Sequence, residues 1–339
     1  MSTAAQTLVS IIVPARNEER SLAGTLDALL AQDIDEPFEI IVADGSSTDR
    51  TPEILAQYAA AHPGVIRVVQ NPAGGTPQAL NVLLEAARGE ILVRVDAHSH
   101  PSVEYVRRLV ERIRTGDCEA VGGQKRAVGT SAFGQAVSVA HGSRFGIGDS
   151  KYHYATDVMY VDHVPFGAYL RERAAAIGGW DEELVRNQDF DFDYRYGQAG
   201  GRILLDPAIA IDWAVRESPR ALARQYFQYG FWKYRVLRKH PESLHLRWLV
   251  PPTFVAFLAV GVPTAVVSHR ARWVVGSVGA LYAAFLLVAT ASTRPRHVRE
   301  AAALPAAIAT MHLSWGAGFL TSALQAMRFA TRFRSKSSS

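Results

Sequence analysis

The chain has 339 residues, 48% of them hydrophobic, with 36 Lys and Arg against 32 Asp and Glu for a net charge of +4. That length suits one large domain or a domain with an appendage. The single cysteine, Cys118, excludes an intramolecular disulfide framework and a cysteine-rich zinc site, and it suits a buried thiol in a reducing compartment.

The apolar residues are unevenly spread, and charge thins abruptly from Leu249 onward, which marks a domain boundary. Many arginines lie near that apolar tail, so the positive charge suits anionic lipid head groups better than nucleic acid. Residues 1–7 have neither a basic start nor a long apolar run, so no cleavable leader is expected.

Val9-Ser10-Ile11-Ile12-Val13-Pro14 reads as a buried strand closed by a proline that cannot continue a ladder. Ala15-Arg16-Asn17-Glu18-Glu19 then turns into a helix that Asn17 or Ser21 can cap. Leu22, Leu26, Leu29 and Leu30 form its sheet-facing stripe. A second strand over 38–43 ends at Asp44-Gly45-Ser46-Ser47-Thr48-Asp49. Residues 51–61 read as a helix, 65–70 as a strand, 71–77 as a glycine-rich loop and 78–87 as a further helix. Ile91, Leu92, Val93 and Val95 make a short aliphatic strand, buried on both faces, that stops at Asp96-Ala97-His98. This alternation predicts a mostly parallel, doubly wound α/β sheet, in which ligands bind beyond the C-terminal strand ends. Residues two apart on an extended segment point to one side. Asp96 and His98 can therefore share a divalent cation that grips a diphosphate, with Ala97 turned away. An ordinary polar turn after a strand is the competing reading.

Segments 10–18 and 42–51, the Asn81 helix ending in Ala87-Arg88-Gly89-Glu90, and Asp96-Ala97-His98 occur in the order and spacing of family 2 glycosyltransferases of the GT-A fold. The chain resembles that family over about its first two thirds. Asp96-Ala97-His98 and the apolar C-terminus make it most similar to the succinoglycan-biosynthesis ExoA-like branch of membrane-associated transferases. The resemblance implies a Rossmann-like GT-A catalytic domain and a nucleotide-diphosphate sugar donor, UDP favoured. Pro14, Arg16, Glu18 and Asp44 then line the nucleoside pocket, and Asp96 joins them at the diphosphate. The family's second metal aspartate is His98 here. Imidazole is softer than carboxylate, so Mn²⁺ or Mg²⁺ is expected with a lean to Mn²⁺. The loop at Gly74 and Gly75 is a weak phosphate signal, since glycine there also serves the turn.

Residues 101–114 read as an amphipathic helix with Val103, Val106, Leu109, Val110 and Ile113 inward, and 120–124 resembles the family's next strand. The glycine- and aromatic-rich stretch 128–160 suggests acceptor-side loops and short helices. Segments 164–171 and 177–182 resemble the approach to the family's catalytic acid. Asn187-Gln188-Asp189-Phe190-Asp191-Phe192-Asp193 follows. By that resemblance Asp189 is the base that takes the acceptor hydroxyl's proton, with Gln188 where a glutamate usually stands. Asp191 and Asp193 also fit acids that complement a helix N-terminus, and three carboxylates so close need cations nearby. Segments 202–207 and 208–213 read as two closing strands. Ser218 and Pro219 open a helix whose continuation, 224–235, mixes aromatic and basic residues as membrane-interface helices do. It loosely resembles the Gln-x-x-Arg-Trp segment of processive relatives, with Gly230 in the arginine's place, which argues against a processive synthase.

Segments 249–268, 273–293 and 301–323 are long and apolar enough to span a bilayer. Three spans, the preferred count, place the basic tail 328–336 opposite the catalytic domain, whereas two spans with an interfacial segment satisfy the positive-inside tendency. His312 suits a helix–helix hydrogen bond or a contact with a lipid-linked acceptor. The expected organisation is a GT-A domain over 1–217, interface helices over 218–247 and a membrane domain over 248–339. The protein is expected to be multi-pass in the cell membrane, with its catalytic domain on the cytoplasmic side. The expected activity is inverting transfer from a nucleotide-diphosphate sugar to a lipid-linked saccharide, with membrane lipid as surroundings and no nucleic acid. The alternative is an enzyme that charges polyprenyl phosphate with one sugar. A catalytically dead scaffold would leave Asp44, Asp96, His98 and Asp189 idle, and the glycine-rich, lysine-bearing loop expected of a nucleotidyltransferase is not found near the N-terminus.

Overall fold

The structure is a computed structural model that describes residues 9–336, with side chains described as far as Arg328. The N-terminal stretch expected to carry no leader, and most side chains of the basic tail, lie outside the described residues. In chain order the elements begin β1 (Val9–Ala15), α1 (Leu22–Leu30), β2 (Phe38–Asp44), α2 (Thr51–Ala61), β3 (Ile66–Gln70), α3 (Thr76–Ala86), β4 (Ile91–Arg94), α4 (Tyr105–Arg114) and β5 (Ala120–Val128). They continue with α5 (Ala132–His141), α6 (Arg144–Ile147), β6 (Met159–Tyr160), β7 (Ala168–Leu170), α7 (Arg171–Ala176), α8 (Gln188–Gln198) and β8 (Ile203–Ala214). Four long helices follow: α9 (Pro219–Lys239), α10 (Val250–Val267), α11 (His269–Thr293) and α12 (Val298–Lys336).

The strands form one sheet in the order β3-β2-β1-β4-β7-β5-β8-β6. β1 pairs in parallel with β2 and β4, and β2 with β3, which is the expected doubly wound half. β7 then runs antiparallel between β4 and β5. It carries only Ala168-Tyr169-Leu170, too short a run to show a period in the sequence. The two expected closing strands are a single β8, because Asp206 Oδ1 takes the Ala208 N–H at 2.9 Å and carries the chain past Pro207.

Alternate residues of β1 serve opposite faces, as a pleated strand requires. Ile11 and Val13 pack with Leu22, Leu26 and Leu29 of α1 and Leu109 of α4, while Ile12 packs with Leu80 and Leu83 of α3 and Phe192 of α8. Val103, expected inward, is 52% exposed, since α4 starts only at Tyr105 and the Tyr105 ring fills that place in the core.

Contacts divide the chain into two compact units, residues 1–126 with 151–213, and residues 127–150 with 214–339. The second contains three helices long and apolar enough to cross a membrane, Leu246–Val267, His269–Thr293 and Val298–Arg328. Within it, Ser218 Oγ caps α9 by accepting the Ala221 N–H at 3.3 Å. α9 crosses α12 backbone to backbone: a Cβ on Gly230 would overlap the Trp315 carbonyl, and one on Gly318 the Phe227 carbonyl. Glycine at position 230 thus has a packing reason of its own. His312 shares a 3.1 Å hydrogen bond with the Tyr282 hydroxyl, joining α11 to α12, the helix–helix role expected of it.

Candidate active site

The C-terminal ends of β1 and β2 are stitched together by short polar side chains. Asn17, with φ of 56°, takes the Thr48 N–H on Oδ1 at 2.8 Å and gives its own N–H to Ser47 Oγ at 2.9 Å. The Glu18 N–H reaches Thr51 Oγ1 at 2.8 Å. Pro14 lies beside Ala43 in register, one step before Asp44, and the buried Asp44 accepts the Ser47 N–H at 3.3 Å. Arg16 donates from Nη1 to the Gly74 carbonyl at 3.1 Å. Gly74 has φ of +70°, and a Cβ there would strike the guanidinium, so the glycine loop is shaped to receive Arg16. Pro14, Arg16, Glu18 and Asp44 therefore gather around adjacent strand ends.

At the end of β4 the Ala97 side chain is buried and its carbonyl accepts the Thr25 hydroxyl at 2.9 Å, while Asp96 is half-buried and His98 exposed. His98 Nδ1 lies 3.1 Å from Glu18 Oε1, and Glu18 Oε2 takes the Ser21 hydroxyl at 2.8 Å. The bond to Glu18 raises the His98 pKa; burial opposes this and the charge of Asp96 reinforces it. Burial also opposes ionisation of Glu18, but the bonds from His98 and Ser21 outweigh it and hold the carboxyl below its ordinary range. Among the described residues no group of three or more His, Cys, Asp or Glu side chains is placed to hold a metal ion.

The candidate residues are joined by one that carries no motif of its own in the sequence. Arg94, the last residue of β4, donates from Nη1 to Asp189 Oδ1 and from Nη2 to Asp96 Oδ1, the latter at 3.2 Å. Its side chain is only 6% exposed, and its Nε has no partner among the described residues. Burial disfavours a charged Asp189, yet Arg94, helped by His163 and Lys125, keeps that carboxyl below its ordinary range. Asp189 is thus held in its ionised form. The signal in the sequence was a lone charge inside an otherwise aliphatic buried strand, which such strands rarely tolerate without a partner.

The helical turn of α8 spreads the three acids apart. Asp191 lies in the first turn of α8, as a helix N-terminal acid should, whereas Asp193 lies beyond it, and both are fully buried and bonded. Asp191 accepts from Arg195 Nε at 2.9 Å, and Arg195 also caps the Gly179 carbonyl at 2.7 Å. Asp193 accepts from His163 Nδ1 at 2.6 Å, the Val164 N–H at 3.0 Å and the Tyr169 hydroxyl at 2.9 Å. Stacking of Phe192 on Trp180, with centroids 4.1 Å apart, fixes the rotation of α8 and so the aim of Asp189. Asn81 bonds the Trp180 carbonyl and N–H at 2.9 and 2.8 Å, holding that loop against α3. Lys125 of β5 is a further cation whose charge reaches Asp96 and Asp189, and no pattern of residues singles it out.

Residues 10–174 match the family description Glycosyl transferase family 2. The chain is 30% identical over 311 residues to the Succinoglycan biosynthesis protein ExoA of Rhizobium meliloti, covering 91% of this chain and 93% of that one. It is 25% identical over 261 residues to the Dolichyl N-acetyl-alpha-D-glucosaminyl phosphate 3-beta-D-2,3-diacetamido-2,3-dideoxy-beta-D-glucuronosyltransferase of Methanococcus voltae, covering 74% of this chain and 79% of that one. Among solved structures, the mannosyltransferase PcManGT from Pyrobaculum calidifontis, in complex with GDP-Man and Mn²⁺, superposes with a TM-score of 0.66 at 19% identity, over 94% of this chain and 88% of that one. The fold is the expected GT-A architecture, a mostly parallel α/β sheet followed by apolar helices.

Proposed function

The chain belongs to glycosyl transferase family 2, and from that premise we propose that it is an inverting, metal-dependent hexosyltransferase moving a sugar from a UDP-sugar to a lipid-linked saccharide or polysaccharide precursor. One observation carries this reading: a single buried guanidinium bonds both Asp96, the candidate diphosphate-side acid, and Asp189, the candidate base. Two acids far apart in the chain thereby meet on one side chain. In this reading Pro14, Arg16, Glu18 and Asp44 hold the nucleoside, whose uracil N3–H and ribose hydroxyls need acceptors. Asp189 takes the proton of the acceptor hydroxyl as that oxygen attacks the anomeric carbon opposite the departing diphosphate.

Asp96 and His98 would hold Mn²⁺ or Mg²⁺. The donor set fits, because a histidine ligand is commonly oriented by a carboxylate on its other ring nitrogen, as Glu18 orients His98. Two protein ligands suffice where phosphate oxygens and water complete the shell. Such an ion, when bound, offsets the charge growing on the leaving diphosphate. The relatives named for succinoglycan biosynthesis and for a dolichyl-linked glucosaminyl phosphate support a lipid-linked acceptor. Residues 1–217 serve as the catalytic domain on the cytoplasmic side, 218–247 as interface helices, and 248–339 as the multi-pass anchor in the cell membrane.

The test is release of UDP or GDP from a panel of sugar donors in native membranes, with Mn²⁺, Mg²⁺ or chelator. UDP release that needs both a metal and membrane lipid is expected; release of neither nucleotide from any donor refutes the assignment. A product with its sugar joined directly to a single lipid phosphate would move the activity to polyprenyl-phosphate charging. Asp96→Ala is expected to weaken the metal-dependent part of UDP binding, read by titration calorimetry with and without Mn²⁺.

A further inference from the structure

Lys125 holds its ammonium 4.8 Å from the centre of the Phe166 ring and 4.3 Å from that of Trp213. Among the described residues it forms no ion pair, and none of its three N–H groups donates a hydrogen bond to another residue. The acids of the pocket lie near enough for their charge to act on it, Asp96 more strongly than Asp189. Burial outweighs that attraction and lowers the lysine to a pKa of about 8. This differs sharply from Arg94, whose guanidinium is engaged by two carboxylates. Both cations share one platform, since Arg94 lies 5.8 Å from the same Phe166 ring. The platform is fixed in turn: Phe166 adopts φ of 49°, a conformation few non-glycine residues take, and its carbonyl accepts the Tyr105 hydroxyl at 2.9 Å.

Two ring faces alone would be covered as well by an aliphatic side chain, without the cost of removing an ammonium from water. A half-buried cation with uncommitted donors beside two acids already tied to Arg94 is arranged for an anion that arrives with a ligand. We infer that Lys125 is the phosphate-binding cation of this pocket, its ammonium bonding a phosphate oxygen of a substrate. The inference rests on the reading of the pocket as a glycosyl-transfer site. Phosphate oxygens come to such a site from the nucleoside diphosphate or from a lipid-linked phosphate, and Lys125 has the chemistry for either.

The experiment measures binding of UDP, GDP, UMP and undecaprenyl phosphate to the full-length protein in lipid nanodiscs, unaltered and as Lys125→Met and Lys125→Arg. Loss of a charged hydrogen bond predicts roughly tenfold or greater weakening of the nucleoside diphosphate in Lys125→Met, with Lys125→Arg recovering most of it. Weakening confined to undecaprenyl phosphate supports the inference and assigns the contact to the acceptor. Unchanged affinity for all four probes in Lys125→Met overturns it. If the unaltered protein binds neither UDP nor GDP, the reading of the pocket falls, and the inference with it. Should Lys125→Met fail to fold, pH supplies the second measurement. An ammonium with a pKa of about 8 loses its charge as pH rises through that value, so phosphate-ligand affinity falls above it in the unaltered protein and stays level in Lys125→Arg. Identical pH dependence in the two proteins also overturns the inference.

Discussion

The strand-end pocket of the first unit and the apolar helices of the second treat contact with solvent in opposite ways. In the pocket, Arg94 is 6% exposed and Asp193 is fully buried, each charge held by named partners. In the helices, Val266 is 77% and Leu281 is 71% exposed. Burying a charge is costly unless it is paired, and exposing rows of aliphatic side chains is costly unless the surrounding medium is itself apolar. Each region thus violates the ordinary rule of apolar inside and polar outside, and each violation identifies a task. The strand ends gather charged groups, and the helices present the long apolar surface that suits membrane association.

The largest effect is expected where the pocket does its chemistry. Asp189→Asn removes the proposed proton acceptor, so transfer should fall ~10²- to 10⁴-fold while UDP affinity changes little. A mutant keeping most of its turnover would refute Asp189 as the base. Arg94→Met leaves two carboxylates without their shared cation. Breaking such a pair costs up to ~3 to 5 kcal/mol when fully buried, and less here because Asp189 is 31% exposed. Arg94 lowers the Asp189 pKa, so its removal raises it and the acidic limb of the pH–rate profile should move toward neutral. A profile that stays in place would show that Asp189 does not set that limb.

The contrast between the two kinds of exposure is tested by placing one charge in each. Leu281→Asp should cost about 3 kcal/mol at the middle of a spanning helix, read as the fraction of chains inserted in membranes. Val103→Asp, at 52% exposure in the catalytic unit, should shift the denaturation midpoint by less than ~0.5 kcal/mol. Equal tolerance at both sites would mean that water, not lipid, faces α11. The last test concerns the α9–α12 crossing. Gly230→Ala should destabilise the detergent-solubilised protein by ~1 to 3 kcal/mol through overpacking. Gly276→Ala is the control, because nothing lies within 4 Å of its added Cβ. Matching thermal shifts for the two would remove the packing reason for glycine at position 230.

Some of this was legible in residue order. Leu22, Leu26 and Leu29 recur at helical spacing and are buried as that spacing predicts, and Asp44 and Asp96 stand at strand ends because an aliphatic run stops there. Val103 misled because the apolar pattern extends further upstream than the helix does. Asp191 is the first-turn acid that the pattern suggested, but its burial and that of Asp193 were not legible, because a linear pattern does not show which face of α8 turns inward. Arg94 was visible as an anomaly in a buried strand, but its partner was not.

By itself the sequence determined the order of strands and helices as far as α4, the acids at two strand ends and the three apolar helices, because burial imposes a period that adjacent residues record. Only the tertiary structure decided that Arg94 meets an acid 95 positions away, that Lys125 stands between two rings, and that Gly230 touches α12. Those contacts depend on chain reversals such as the antiparallel entry of β7 between β4 and β5, and no local pattern of residues encodes where such a reversal brings two side chains together.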